Sequence, residues 1–181
     1  SNYGVDILKL SVTPNGKNIN KNCGALYPEN LAKKVIKNNA DMGIAIDGDG
    51  DRLIICDERG SILDGDKILA IVSSSLNKQG KLKGGGLVAT KMSNLGLKYF
   101  VKNLRLKLYI SNVGDRYVVE KMKKYKCNLG GEQSGHIIFS DFSLTGDAIL
   151  SALQILTVLK LENKSLSNLL ENYETFPQRL V

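Results

Sequence analysis

Met42-Gly43-Ile44-Ala45-Ile46-Asp47-Gly48-Asp49-Gly50-Asp51-Arg52-Leu53-Ile54-Ile55-Cys56 is two short apolar runs around a loop of alternating aspartate and glycine. Met42 to Ile46 and Leu53 to Cys56 each have the length and the β-branched content of a strand. Their spacing suits a hairpin. Three carboxylates two residues apart repel one another unless a cation sits among them. The glycines let the backbone fold tightly enough for the oxygens to converge. An all-oxygen donor set suits a hard cation, magnesium or calcium. Asp47, Asp49 and Asp51 are therefore candidate metal ligands, and Arg52 is placed to hold phosphate oxygens. An acidic surface turn is the plain alternative, but turns rarely need three aspartates interleaved with glycine. A calcium-binding module is a second alternative. Counted from Asp47, the residues Asp49, Asp51 and Glu58 fall at positions three, five and twelve of an EF-hand loop, but Arg52 occupies the position that needs glycine, and strands rather than helices flank the loop.

Outward from this loop, apolar stretches and turn signals alternate. Val5 to Val12 reads as a strand, and Thr13-Pro14-Asn15-Gly16 as a turn. Pro28-Glu29 opens a helix that ends near Asn38-Asn39. After Asp57-Glu58-Arg59-Gly60, Asp64 to Leu76 is helical, with Ile68, Leu69, Val72 and Leu76 on one face. Leu87 to Thr90 is a strand. Ser93 is the expected cap of a helix carrying Leu97, Phe100 and Val101. Leu106 to Ile110 is a strand and Asp115 to Lys124 a helix. Gly130-Gly131 is expected to break the chain before a strand at Ile137 to Phe139. Thr145 to Leu161 is a long helix, and Ser165 to Asn172 a short one. Strands alternating with helices predict an α/β protein of two consecutive α/β domains with mixed, largely parallel sheets. The expected division is residues 1–60, a truncated first domain carrying the metal loop; 61–173, a second domain; and 174–181, a linker.

Composition excludes several classes. The chain has 181 residues and 43% apolar content, enough for one ordinary domain or two small ones. No apolar run approaches the length of a membrane helix, so no membrane partner is expected. No signal peptide is evident, and Ser1-Asn2 reads as a remnant of tag cleavage. Cys23, Cys56 and Cys127 are odd in number and far apart, which favours a reducing cytoplasm over a disulfide framework or zinc site. The net charge is +7. The lysines are scattered and no nucleic-acid motif accompanies them, so the charge suits a solvated surface and anionic small molecules rather than nucleic acid.

Gly130-Gly131-Glu132-Gln133-Ser134-Gly135-His136 is a second glycine-rich turn, with a carboxylate, a hydroxyl and the only histidine of the chain. Glu132 and Ser134 suit sugar hydroxyls. It is not a hydrolase nucleophile elbow, because Ser134 lacks flanking glycines two residues away on both sides. His136 taken alone reads as a satisfied structural histidine. In Val113-Gly114-Asp115-Arg116-Tyr117, Asp115 lies in a helix's first turn, which the helix dipole favours. Lys91 taken alone is a strand-end lysine in solvent.

Asp-Gly-Asp-Gly-Asp-Arg after an apolar strand resembles the metal loop of the phosphohexose mutases, a superfamily of four-domain enzymes. Residues 130–136 resemble that family's sugar loop, in the family's order. The resemblance implies that Asp47, Asp49 and Asp51, with a phosphoserine, bind magnesium. It implies that Glu132 and Ser134 grip sugar hydroxyls and that His136 lies near the reacting groups. It implies an acid/base or orienting role for Asp115 and Arg116, beside a purely structural one for Asp115. Gln133 and Asp115-Arg116-Tyr117 are similar to the phosphoglucosamine branch; phosphomannomutases usually carry methionine where Gln133 stands. Lys91 points the other way, toward a substrate lysine of phosphomannomutase/phosphoglucomutase. Thr13 to Asn20 and Leu144-Thr145-Gly146-Asp147-Ala148 also match the branch and read as scaffold. The implied activity interconverts glucosamine 6-phosphate and glucosamine 1-phosphate through a hexose 1,6-bisphosphate, in the cytoplasm, for cell-wall precursors. A homodimer of the full-length enzyme is compatible with it. The phosphoserine loop and the fourth domain's phosphate loop are not found in these residues, so the chain is expected to be a fragment that is inactive alone.

Overall fold

Two sheets, joined by one apolar core, organise the protein. The computed structural model describes residues 4–179; the expectations for Ser1-Asn2 and for the last two residues of the linker lie outside them. The first unit contains α1 (Glu29–Asn38), β1 (Met42–Ile46), β2 (Leu53–Asp57) and β3 (Ile62–Leu63). Its sheet runs β1-β2-β3 and is antiparallel throughout. Ile46 pairs with Leu53, so the aspartate loop is the tip of a hairpin, as the spacing predicted. Flanking strands rather than helices also leave the EF-hand without its frame. The α1 helix ends at Asn39, whose left-handed φ of 49° lets its N–H return to Ile36 and Val35 carbonyls. Gly43 lies under α1, where a Cβ would come within 2.7 Å of Leu31 and Val35 side chains.

The second unit contains α2 (Gly65–Lys78), β4 (Gly86–Thr90), α3 (Leu95–Asn103), β5 (Lys107–Ser111), α4 (Asp115–Tyr125), β6 (Leu129–Gly131), β7 (Ile137–Phe139), α5 (Ala148–Glu162) and α6 (Leu166–Leu169). Its sheet order is β5-β4-β6-β7; β4 pairs parallel with β5 and β6, and β6 antiparallel with β7. The expected parallel pairing is thus confined to this sheet. Side-chain alternation along the strands makes three layers. Leu87, Ala89, Ile137 and Phe139 face α2, α3 and α5, whereas Val88 and Ile138 meet Val118 and Met122 of α4. Leu53, Ile55 and Leu63 of the first sheet belong to the same buried cluster as α2 and α5. The second sheet's core therefore extends under the hairpin.

Four expectations are corrected. Residues 5–12 form no strand, and Ile7, Leu8 and Val12 are exposed, so the apolar alternation there packs no sheet face. Gly130 and Gly131 do not break the chain but build β6. Gly130 is glycine because Met122 and Val118 of α4 lie within 3.0 Å of any Cβ. Asn94, not Ser93, caps α3, because its Oδ1 accepts from the Gly96 N–H at 2.9 Å. The α5 helix starts at Ala148 behind the Asp147 cap rather than at Thr145.

One acidic residue ties the units, and a second braces the helices of the second unit. Glu58, in the turn between β2 and β3, accepts from the Ser167 hydroxyl and, at 3.5 Å, from the Ser167 N–H of α6. Burial would raise its pKa, but these bonds and the Ser165 hydroxyl hold it below the usual carboxylate value. Asp66 in the first turn of α2 is fully buried, and its Oδ2 accepts from the Asn94 N–H at 2.6 Å. Burial pushes its carboxyl up to about 6. Its Oδ1 and the nearby Ser93 Oγ are buried without an aligned hydrogen-bond partner.

Two stability predictions follow from this packing. A Cβ on Gly65 would sit 1.9 Å from the Glu132 carbonyl oxygen. Gly65→Ala should therefore cost about 1–3 kcal/mol in urea unfolding, and an unchanged midpoint would refute the close approach. Because the folded Asp66 pKa is raised from 3.8 to about 6, the native state binds the extra proton, and stability falls as pH rises across that window. Asp66→Asn keeps the acceptor for Asn94 and offers a donor to Ser93. Its unfolding free energy should lose that slope, and at pH 8 it should exceed the parent by about 1–3 kcal/mol; identical pH profiles would be the contrary result.

Candidate metal and sugar site

The hairpin tip between β1 and β2 is closed by its own ends. The Arg52 N–H donates to Asp47 Oδ1 at 3.1 Å, and the Asp47 N–H to the Arg52 carbonyl at 3.4 Å. Gly50 turns the tip at a φ of 77°, a left-handed value that suits glycine. This brings one carboxylate oxygen each of Asp47, Asp49 and Asp51 within 4.8 Å of one another. Asp49 is exposed, and Asp47 and Asp51 are half-buried. The guanidinium of Arg52 stands 3.8 Å from Asp47 and 3.9 Å from Asp51. These are marginal ion-pair distances, and 44% of the Arg52 side chain remains in solvent. Asp51 Oδ1 is buried with no hydrogen-bond donor. A buried carboxylate oxygen without a donor is costly. A hard cation among the three oxygens would satisfy it, so the donor set fits magnesium.

A second hairpin meets the first. The turn between β6 and β7 is closed by the Glu132 N–H to the His136 carbonyl and by the Gly135 N–H to the Glu132 carbonyl, both 3.0 Å. Arg52 and His136 form an antiparallel bridge, and the Leu53 N–H donates to the Gly135 carbonyl at 3.0 Å. Gly135 adopts a φ of 95°, and a Cβ there would lie 2.3 Å from the Leu53 carbonyl oxygen. The approach is possible only with glycine.

His136 fastens the two tips through its ring. Its Nε2 accepts from the Gly146 N–H at 3.1 Å. The remaining nitrogen therefore carries the proton and donates from Nδ1 to Asp51 Oδ2 at 3.0 Å. The ring is buried at 5% exposure, and Gly146 packs on its face, where a Cβ would approach within 2.6 Å. Gly50 adds a third tie, its carbonyl accepting from the Ala148 N–H at 3.0 Å. Gly146 and Ala148 belong to a motif that the sequence suggested only as scaffold; in the structure it orients the histidine.

Other expected site residues are less closely gathered. Glu132 Oε1 accepts from the Gly114 N–H at 2.9 Å, which draws the 113–117 loop to the second hairpin. Ser134 is exposed at the turn. Asp115 accepts from its own helix at the Arg116 N–H, and Arg116 pairs with Glu120 at 2.9 Å in solvent. Lys91 is exposed at the end of β4, its N–H bonded to the Ser111 carbonyl. Among the described contacts, none joins Asp115, Arg116 or Lys91 to the aspartate loop. Gln133 spans from Asp64 to Gln178.

Comparison with known proteins gives this geometry a lineage. Residues 64–176 match the description phosphoglucomutase/phosphomannomutase, alpha/beta/alpha domain III, and residues 1–60 match domain II. Phosphoglucosamine mutases of Lawsonia intracellularis and Mesorhizobium japonicum are 52% and 50% identical over 98% of this chain. The chain spans 40% and 39% of their respective lengths. A phosphoglucomutase/phosphomannomutase family protein from Burkholderia thailandensis superposes with a TM-score of 0.69 at 26% identity, covering 84% of this chain and 33% of that one. The N-acetylphosphoglucosamine mutase of Aspergillus fumigatus, solved with GlcNAc-6P and magnesium, superposes with a TM-score of 0.70 at 24% identity, covering 92% of this chain and 43% of that one. With two adjoining family segments matched in order, the chain belongs to the phosphoglucomutase/phosphomannomutase family.

Proposed function

We propose that this chain is the metal-binding and sugar-binding part of a phosphoglucosamine mutase, an enzyme that interconverts glucosamine 6-phosphate and glucosamine 1-phosphate. The observation that carries the reading is the union of the two hairpin tips. An aspartate cluster with an unsatisfied buried oxygen stands beside a turn bearing a carboxylate and a hydroxyl. The similarity to phosphoglucosamine mutases over 98% of the chain supports the amino-sugar substrate. It also weighs against phosphomannomutase/phosphoglucomutase, the alternative that Lys91 suggests.

In this reading Asp47, Asp49 and Asp51 hold magnesium, which when bound supplies charge neutralisation for a transferring phosphoryl group. Arg52 contributes the adjacent positive charge to phosphate oxygens. Glu132 and Ser134 bind sugar hydroxyls. Through Gly114, Glu132 also holds the loop bearing Asp115 and Arg116, which are proposed as orienting or acid/base groups. His136 fixes the orientation of Asp51 beside the reacting groups. Lys91 is proposed at the rim of the sugar site. The phosphoserine and the remaining phosphate contacts come from the rest of the full-length protein, with a hexose 1,6-bisphosphate as intermediate. No helix among the described residues is long and apolar enough to cross a membrane. A cytoplasmic setting, supply of peptidoglycan amino sugar and a homodimeric full-length enzyme belong to the same proposal.

Asp49 is exposed and makes no closing bond of the hairpin, so Asp49→Asn should leave thermal unfolding unchanged. It should weaken magnesium binding at least tenfold by calorimetry and nearly abolish turnover of the full-length enzyme. Parental magnesium affinity would remove Asp49 from the metal site. Glu132→Ala should raise KM for glucosamine 6-phosphate roughly tenfold, the scale of one lost hydrogen bond to a charged group. A parental KM would take Glu132 out of the sugar site.

A further inference from the structure

Residues 173–178 lie along α3 and end on the second hairpin. The Tyr173 ring packs 5.8 Å from Phe100, and the Phe176 ring 5.3 Å from Tyr99. Gly96 admits this segment, since a Cβ there would lie 2.0 Å from the Glu174 carbonyl oxygen. At Asn94 the side-chain amide pairs with the segment as a backbone would. Its Oδ1 accepts from the Phe176 N–H at 3.0 Å, and its Nδ2 donates to the Phe176 carbonyl at 2.7 Å. Asn94 is buried, caps α3 and is anchored by its own N–H to Asp66. The clamp is therefore held in place before the segment meets it.

Two residues further on, Gln178 Nε2 donates to the Met92 carbonyl at 2.8 Å. That bond fixes which end of the carboxamide is the donor. Oε1 is left facing Asn94 Nδ2 and Gln133 Nε2, each at 3.4 Å. Gln133 Nε2 also reaches Asp64 Oδ2 at 3.4 Å, and the Gln133 carbonyl accepts from the Gly65 N–H at 2.9 Å. Gln133 is thus held between the start of α2 and residue 178, while its neighbours Glu132 and Ser134 are the sugar candidates.

We propose that Gln178 is a positioning residue of the sugar loop, holding the Gln133 carboxamide against Asp64 and so setting the turn that presents Glu132 and Ser134. This rests on the sugar-binding reading of that turn. Gln133, one of the residues by which the sequence resembles the phosphoglucosamine branch, is then held by residue 178 and supports the turn without touching the sugar. The contacts to Gln133 are at the long end of the hydrogen-bond range, so the effect is modest.

The test uses the full-length enzyme with Gln178→Leu, Gln133→Leu and the double variant. Gln178 is exposed, so its replacement does not threaten folding. Each single change should raise KM for glucosamine 6-phosphate three- to tenfold with kcat within twofold. The double variant should be no worse than either single one. Hydrogen exchange of residues 130–136 should quicken several-fold in Gln178→Leu. Multiplying effects in the double variant, or unaltered exchange, would overturn the coupling. A KM defect in Glu132→Ala beside a silent Gln178→Leu would overturn the positioning role alone. An unchanged KM in Glu132→Ala would overturn the sugar-loop reading and this proposal with it.

Discussion

Mutual repulsion of three aspartates at one hairpin tip is the constraint around which the rest of the site is arranged. A five-residue span carries three negative charges, and the backbone alone cannot relieve them. The protein answers with Arg52 from the same tip and with the ring of His136 from a hairpin 85 residues away. A hydrogen bond to a charged acceptor contributes about 1.5–3 kcal/mol, enough to hold one carboxylate in place but not to neutralise three. The residual demand for positive charge is the physical basis for reading the tip as a cation site.

Holding the two tips together requires backbone to approach backbone. That is why glycine recurs at the contacts and not merely at the turns. Gly135 lies against the Leu53 carbonyl, Gly65 against Glu132 and Gly146 against the His136 ring. Each replaces a side chain with a direct hydrogen bond or van der Waals contact. The site is therefore assembled by main chain from three separate stretches, and its few side chains are aimed by that frame. Beneath it, Leu53 and Ile55 extend the core of the second sheet under the metal hairpin.

Much of this was legible in the sequence where the relevant partners are neighbours in the chain. The aspartate cluster, the hairpin and the helices with apolar periodicity all depend on spacings of a few residues. The same local view misread Gly130-Gly131, because the reason for glycine there is the overlying α4. It favoured Ser93 over Asn94 as a cap, because only the fold shows which oxygen faces the Gly96 N–H. It placed a strand at residues 5–12, where an alternating pattern alone cannot show whether a sheet face lies beneath it. The contacts of His136 with Asp51 and Gly146 were beyond sequence logic; a histidine near a reacting group and one that fixes a ligand look identical in one dimension. Arg116 was suggested by resemblance alone, and its guanidinium pairs with Glu120 one helical turn on, a contact that i,i+4 spacing does make legible.

The first family segment ends at residue 60 and the second begins at 64, and β3 at Ile62–Leu63, in the interval between them, hydrogen-bonds to β2 of the first. Leu63 also sits in the shared core. A recombination event cutting before Ile62 would strip β2 of its edge partner, and a cut anywhere between the segments would part Leu53 and Ile55 from the α2 and α5 side chains that cover them. Exchange of one segment alone would therefore carry a packing cost at this seam that changes on their surfaces do not.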